Sequence, residues 1–139
     1  MKQISDCISY QIGVAAKRIS RSARDYLAAF DVTPVQYAVL RALSDQDRQT
    51  GAQLTALLHI DSATITGVLD RLVRLELIQR VPHETDRRVK CLSLTDYGRR
   101  RLPDMDAAME RLNEEVDRFL GDDADDFRRI LKRVEKLSL

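Results

Sequence analysis

Apolar residues recur towards both ends of this chain at three- and four-residue intervals, the spacing that collects them on one face of a helix. One such segment spans residues 4–30 and predicts a single long amphipathic helix. A second pattern runs through 99–139 and is interrupted by Gly121, a predicted C-cap, and by Asp122 and Asp123, either of which is a predicted N-cap. Both ends of the chain are therefore predicted to be helical.

Three shorter helical patterns occupy the middle of the chain. The first has Thr33 as its predicted N-cap and Pro34 at its first helical position, and it continues to Leu43. The second covers residues 52–58. The third follows the predicted N-cap Asp61, and its apolar residues at i, i+4, i+7 and i+8 are Ile65, Leu69, Leu72 and Val73. This third helix is predicted to bury one stripe in a core and to leave the opposite face free.

The connections around the third helix predict a helix-turn-helix motif followed by a β-wing. The turn His59-Ile60-Asp61 has the length that this motif requires. It contains no glycine, so His59, a residue type that tolerates positive φ, is expected to adopt the left-handed conformation there. Beyond the helix, residues 79–81 and 89–94 predict two short strands joined by the loop 82–88.

The free face of the third helix suits the floor of a DNA major groove. Small residues let a helix approach closely, hydroxyls bond to base edges or phosphates, and arginine binds guanine or phosphate with two donors. The residues of this face are Ala63, Thr64, Thr66, Gly67, Asp70, Arg71 and Arg74. The predicted wing adds a basic cluster, whose position at a loop tip favours contact with phosphates or a narrow minor groove: Arg87, Arg88 and Lys90.

Five segments together resemble the multiple-antibiotic-resistance regulator (MarR) family. They are Thr33-Pro-Val-Gln36, Leu54-Thr-Ala-Leu-Leu58, Leu69-Asp-Arg-Leu72, Asp86-Arg-Arg88 and Leu92-Ser-Leu-Thr95. The resemblance extends over essentially the whole chain, and the wing pattern is its most specific part.

One position departs from the family's pattern. Family members usually have glycine after the recognition helix, whereas this chain has Glu76. A residue other than glycine there either accepts a left-handed conformation, at a cost of order 1 kcal/mol, or shifts the end of the helix by one residue. The angle of the wing therefore depends on Glu76.

The resemblance and the residue pattern together imply binding to a double-stranded DNA operator. The candidate DNA-contacting residues are Thr33, Gln36, Gln53, Ser62, Ala63, Thr64, Thr66, Arg71, Arg74, Arg87, Arg88 and Lys90. In family members an acid on the recognition helix pairs with a wing arginine, so the resemblance implies an ion pair between Asp70 and Arg88 that braces the wing, with Asp86 beside it.

The expected fold is mainly α-helical with a small β-wing, in one domain over residues 1–139. The winged helix-turn-helix is assigned to 31–98, and the helices of 1–30 and 99–139 are assigned to a dimerisation frame. Long helices at both ends of a small chain cannot all bury their stripes on a compact winged core. A twofold homodimer is therefore expected, as the resemblance also implies.

The resemblance further implies a repressor that reads a pseudo-palindrome and is released by a small aromatic acid or phenolic compound. The effector is expected between the frame and the winged domain, where the candidate residues are Ser9, Tyr10, Gly13, Lys17, Tyr37 and Arg41. A ring can stack on Tyr10 or Tyr37, and a carboxylate can reach Lys17 or Arg41. The alternative is that both tyrosines are core aromatics with a solvated hydroxyl.

The formal net charge of +1 conceals a strong asymmetry. Residues 71–101 hold nine basic and four acidic side chains, a net +5, whereas 104–126 hold ten acidic and two basic side chains, a net −8. DNA is expected to be drawn to the first segment and repelled by the second. The alternative for the acidic segment is an ordinary solvated helix face.

Other functional classes find little support in the sequence. It has no glycine-rich phosphate loop and no ordered Ser/His/Asp set, and its two histidines, His59 and His83, lie in predicted turns or loops. We therefore expect no enzymatic activity, no cofactor and no metal. No apolar run approaches the roughly 18 residues that span a bilayer, and no signal peptide is evident, so a cytoplasmic protein is expected.

Two cysteines, Cys7 and Cys91, are expected to be free thiols because no CxxC or neighbouring histidine accompanies them. Some relatives sense peroxides through a first-helix cysteine, so Cys7 is a redox candidate, although the resemblance places Ser9 nearer the sensing position. A redox-sensing regulator and a winged-helix antirepressor that binds protein are the alternatives to a ligand-responsive repressor.

Overall fold

The computed structural model describes residues 2–138, which form six α-helices and a small antiparallel sheet. The helices are α1 (Ile8–Leu27), α2 (Pro34–Asp45), α3 (Gly51–Leu58), α4 (Ser62–Arg74), α5 (Asp96–Leu120) and α6 (Ala124–Val134). The strands are β1 (Gln49–Thr50), β2 (Ile78–Pro82) and β3 (Lys90–Leu94), and 3₁₀ turns cover Ile4–Asp6, Ala28–Phe30 and Gly121–Asp123. The expected class, mainly helical with a β-wing, is confirmed.

The first helix is shorter than the apolar spacing predicts. Cys7 is extended, with φ −79° and ψ 114°, so the 3₁₀ turn before it does not continue into α1. At the other end Asp31 is left-handed, with φ 56°, and it stops the 3₁₀ turn that follows α1. The single helix over 4–30 is therefore wrong at both ends, because apolar spacing does not register breaks of one residue.

Reciprocal capping boxes start α2 and α3. Thr33 Oγ1 accepts the Gln36 amide at 3.3 Å, and Gln36 Oε1 accepts the Thr33 amide at 2.9 Å. Thr50 and Gln53 repeat this arrangement at 3.2 and 2.8 Å. Each box satisfies two amides that would otherwise lack a partner at a helix start. The predicted N-cap at Thr33, with Pro34 first in the helix, is confirmed.

Left-handed residues end α3 and α4, as predicted for His59 and as one of the two alternatives for Glu76. His59 has φ 53° at the end of α3, and Glu76 has φ 58° after α4. The Leu77 amide donates to Leu72 O at 3.1 Å and the Glu76 amide to Val73 O at 2.9 Å, which is the Schellman pattern. Glu76 thus takes the conformation that glycine would adopt more readily, and α4 ends where the wing begins.

The sheet joins the wing to the helices in the order β1-β3-β2. β2 pairs with β3 from Ile78 opposite Leu94 to Pro82 opposite Lys90. β1, which the sequence analysis missed, pairs Gln49 with Leu92. A strand of two residues has no alternation of apolar and polar positions that could identify it.

The core lies between α2, α3, α4, the sheet and the first half of α5. Its largest fully buried side chains are Leu27, Leu40, Leu43, Leu54, Leu72, Ile78, Met105, Val39 and Cys91. The predicted α4 stripe contributes Ile65, Leu69 and Leu72, whereas Val73 is only partly buried. Burial of this stripe fixes which face of α4 remains exposed.

The terminal helices contrast with this core. α1 buries only Ala23 and Leu27, and α6 buries none of its described side chains. A groove of about 570 Å³ runs between α1, α5 and α6, lined mainly by apolar side chains that include Ile12, Ile19, Val116, Phe127 and Leu131. Within residues 2–138 no helix is long and apolar enough to cross a membrane.

Candidate nucleic-acid interface

The N-terminus of α4 is held by Asp61. Its Oδ1 accepts the Thr64 amide at 2.7 Å, and its Oδ2 accepts the Thr64 hydroxyl at 2.8 Å. These two bonds from Thr64 hold the pKa of the Asp61 carboxyl below its usual value, and the bond from the backbone amide has the larger effect. The Thr64 hydroxyl proton is therefore engaged within the helix cap, which leaves the oxygen as an acceptor.

The face of α4 opposite the buried stripe is open to solvent, as the sequence analysis expected. Thr66 donates only a long bond, 3.4 Å, to Ser62 O, so its hydroxyl remains accessible. The exposed residues of this face are Ser62, Ala63, Thr64, Thr66, Gly67 and Arg74. A helix with small residues and hydroxyls on one face can approach base edges closely.

Arg71 differs from the other candidate residues on α4. Its guanidinium forms an ion pair with Asp31, the left-handed residue after α1. Because both side chains are partly solvated, this pair contributes little to stability. It does hold the Arg71 side chain towards the loop that precedes α2 through one guanidinium nitrogen, so the remaining N–H donors stay available for DNA contact.

The wing exposes its basic residues. Arg88 Nε donates to Asp86 Oδ1 at 3.1 Å, yet the Arg88 side chain is 91% exposed. The Arg88 guanidinium, and then its backbone amide, hold the pKa of the Asp86 carboxyl below its usual value. Arg87 and Lys90 are exposed, and across residues 2–138 no acidic partner lies within ion-pair distance of either.

The predicted ion pair between Asp70 and Arg88 is wrong. Asp70 pairs instead with Arg80, which lies on β2, and Arg88 pairs with Asp86 inside the wing loop. β2 follows α4 closely, so Arg80 reaches Asp70 from the base of the wing, whereas Arg88 is at its tip. The sequence analysis missed this role of Arg80, although an arginine in the strand directly after the helix that carries Asp70 was a usable signal.

The prediction that Gln36 contacts DNA is also wrong in this structure. The Gln36 side chain is buried, at 8% exposure, and its oxygen caps the Thr33 amide. The oxygen of this side chain is engaged in the capping box, and burial leaves little of the rest for contact with a phosphate. Thr33 and Gln53 take part in capping boxes but remain exposed, so their contact with DNA stays a prediction.

The candidate effector residues fall into two groups. Tyr37 Oη donates to Asp106 Oδ1 at 2.7 Å, and Arg41 reaches Asp106 Oδ2 at 3.3 Å and Asp45 at 2.9 Å. Burial, and then the bond to Asp106, raise the pKa of Tyr37 well above its usual value. Asp106, on α5, is the residue that the sequence analysis missed here.

The second group lies on the first half of α1. Tyr10 is 49% exposed, so it is not a core aromatic, and Ser9 and Lys17 are also exposed. Gly13 has open space where a side chain would project. Within the described chain, no hydrogen bond or ion pair joins this group to Tyr37 or Arg41. That both groups line one effector site stays a prediction.

The cysteines lie apart. Cys7 is partly exposed at the start of α1, and Cys91 is buried in β3; both are free thiols. In the described part of the chain, no group of three His, Cys, Asp or Glu side chains is placed to hold a metal ion.

The charge asymmetry follows the fold. The basic segment 71–101 comprises the end of α4, the wing and the start of α5, and the acidic segment 104–126 continues along α5 into α6. Since α5 has 25 residues, it carries the acidic groups as much as about 35 Å from the wing. The helices α2, α3 and α4, followed by the β2–β3 wing, form a winged helix-turn-helix. The exposed face of its α4 carries hydroxyl and guanidinium donors.

Comparison with known proteins narrows this class. Residues 32–90 match the model of the MarR family. The HTH-type transcriptional regulator SarZ of Staphylococcus aureus strain USA300 is 28% identical over 96 residues, which cover 69% of this chain and 65% of SarZ. The match thus spans less than two thirds of that relative's length. Residues 32–90, which hold α2, α3, α4 and β2, are thus similar to the MarR family.

Two solved structures are similar over nearly the whole chain. A probable transcriptional regulator from Pseudomonas aeruginosa is 29% identical with a TM-score of 0.88, covering 95% of this chain and 99% of that chain. A mutant MarR from E. coli, in complex with operator DNA, is 26% identical with a TM-score of 0.83, covering 91% and 92%.

Proposed function

We propose that the protein is a homodimeric transcriptional regulator that represses from a pseudo-palindromic operator and is released by a small aromatic or phenolic acid. The observation that carries this proposal is the exposed face of α4 beside the wing arginine Arg88, whose side chain is 91% exposed. The operator complex of the similar MarR structure supports a DNA ligand for such a face. The basic segment around α4 and the wing would draw DNA to it.

The homodimer is supported by the apolar surfaces that one protomer leaves open. The groove between α1, α5 and α6 is a wide apolar surface, and α6 presents Phe127, Ile130, Leu131 and Val134 to solvent. Contiguous apolar surface of this extent marks an interaction site. A second copy is its occupant, since the same helices can interlock about a twofold axis. Two α4 helices would then read half-sites about 10 base pairs apart.

Replacing Arg88 with alanine tests the DNA interface. We expect weaker binding to every duplex and a salt slope reduced by about 1.8 for the dimer, because each of its two wing guanidinium groups neutralises one phosphate. Thr66→Ala is expected to change which sequences are preferred. Selection of duplexes from a random library, followed by fluorescence anisotropy at several salt concentrations, measures both effects.

Arg18→Ala is the matched control, because it removes the same charge from the exposed surface of α1. Binding by this variant is expected to match the wild type. Unchanged affinity and salt slope in the Arg88 variant would contradict the assignment of the wing. Failure of the wild type to select any duplex would overturn the proposed function itself.

The effector site is proposed at Tyr37 and Arg41. Both side chains already hold the carboxylate of Asp106, so this place provides the donors that an acidic ligand requires. The carboxylate of a ligand would accept the hydrogen bonds that Tyr37 and Arg41 now donate to Asp106, which would loosen the contact of α2 with α5. The aromatic ring of the ligand would lie against Tyr37. The candidate residues on α1 would complete the site, from the same protomer or from the second copy.

Arg41→Ala tests the effector site. We expect it to weaken binding of salicylate-like and hydroxycinnamate-like acids about tenfold, the loss of one charge-assisted bond. The corresponding carboxamides should be affected much less, because they carry no charge. Isothermal titration calorimetry measures both series, and Arg100→Ala on the exposed surface of α5 is the control. Equal losses for acids and amides would contradict this role of Arg41.

A further inference from the structure

The turn between α2 and β1 contacts the wing. Arg48, in this turn, donates from Nη2 to Pro82 O at 2.7 Å and lies 3.7 Å from the Glu84 carboxylate. Pro82 is the last residue of β2, and Glu84 is in the wing loop. Arg48 therefore contacts the wing at the point where the loop leaves the sheet.

The neighbouring residues hold this turn firmly. Asp47 Oδ1 accepts the hydroxyl of Ser93, a buried residue of β3, at 2.8 Å, and Asp47 Oδ2 pairs with Arg99 at 3.2 Å. The buried Gln49 side chain donates to Ala42 O at 2.9 Å. The turn is thus bonded to β3, α5 and α2, and these bonds fix the backbone position of Arg48.

Arg48 has an unfavourable backbone conformation. Its φ is 59°, in the left-handed region that residues other than glycine rarely occupy. Such conformations persist where surrounding contacts impose them, and they are common at functional sites. Here the contacts are those of Asp47 and Gln49 on either side, and the result is that the Arg48 side chain points to the wing.

Pro82 lies in the last pair of the β2–β3 ladder. Bonded and non-bonded pairs alternate in an antiparallel ladder, and the next pair is bonded from the His83 amide to Val89 O at 3.0 Å. The missing amide hydrogen of Pro82 therefore costs the ladder no bond, and the Pro82 carbonyl, which points away from β3, is open to Arg48. The Val89 amide donates to Asp86 O, also at 3.0 Å, inside the loop. The bond from Arg48 to Pro82 O thus supplies a tertiary contact at the end of the ladder.

We propose that Arg48 is a positioning residue that sets the direction of the wing, and through it the place of Arg88. This inference rests on the proposed function, in which the wing contacts DNA. Arg48 acts through the wing and does not touch the DNA itself. The brace of Asp70 and Arg80 holds the wing base to α4, and Arg48 holds it to the turn between α2 and β1.

Arg48→Gly tests the effect of the side chain separately from that of the backbone conformation. Glycine adopts the left-handed conformation without a steric cost, so the turn keeps its backbone path while the guanidinium is lost. Arg48→Asn is the second variant, because asparagine also tolerates this conformation and restricts the chain more than glycine does. A result found in both variants belongs to the lost guanidinium and not to a looser turn.

Hydrogen exchange of the free protein is the first measurement. In both variants the amides of His83 and Val89 should exchange at least about tenfold faster, because opening of the loop becomes easier. The amides of α5 should exchange at the wild-type rate. Unchanged exchange at His83 and Val89 overturns the proposal, and this result does not depend on whether the protein binds DNA.

A double-mutant cycle with Arg88→Ala is the second measurement. If Arg48 positions the wing, Arg88→Ala should lower DNA affinity about tenfold in the wild type but less than about twofold in the Arg48→Gly background, since coupled residues are not additive. Equal losses in both backgrounds would mean that Arg88 acts independently of Arg48, which also overturns the proposal. If the wild type binds no duplex, the proposed function fails while the exchange result stands.

Discussion

Replacing Leu131 with glutamate is expected to convert the protein from a dimer to a monomer and to reduce operator affinity at least about a hundredfold. Leu131 is 44% exposed in the single protomer and lines the apolar groove, so the substitution disturbs little within one copy. In the dimer it would bury a carboxylate without a partner, which costs several kcal/mol. A monomer has one α4 to present and loses the gain from binding two linked half-sites.

Light scattering after size-exclusion chromatography measures the first effect, as a mass near the 15.9 kDa of one chain in place of twice that value. Lys132→Glu is the matched control, because it adds the same carboxylate to α6 outside the groove. This variant should remain dimeric. A dimer that survives Leu131→Glu would mean that the groove is not the interface.

Gly98→Ala is expected to destabilise the fold by about 2–3 kcal/mol, the cost of forcing extra atoms into a packed site. A Cβ at Gly98 would lie 2.1 Å from Leu77 O, a backbone atom that cannot rotate away. The Gly98 amide also donates to Thr95 Oγ1 at 2.9 Å, so α5 cannot easily shift. This close approach is where α5 meets the segment that links α4 to β2.

Chemical denaturation monitored by circular dichroism measures the loss for Gly98→Ala. Gly67→Ala is the comparison, because Gly67 lies within α4 and a Cβ there meets no atom within 4 Å. That variant should gain roughly 0.5–1 kcal/mol from the better helix propensity of alanine. Equal stability of the two variants would show that the approach of Gly98 to Leu77 can relax without cost.

The sequence by itself determined the features that depend on neighbours a few residues away. The caps at Thr33 and Asp61 and the left-handed conformation of His59 were predicted, and that of Glu76 was one of two alternatives, because each rests on a local bond or a local steric preference. The periodicity of Ile65, Leu69 and Leu72 likewise identified the buried stripe of α4, and so its exposed face. Local rules of this kind operate whatever the rest of the fold does.

Only the tertiary structure decided which distant side chains meet. Asp70 pairs with Arg80 and not with Arg88, because the twist of a short hairpin sets which arginine comes within reach. The strand β1, the contact of Arg48 with Pro82 and the grouping of Tyr37 and Arg41 around Asp106 also join residues far apart in the chain. A sequence with many arginines and aspartates allows many such pairs, and packing of the core selects among them.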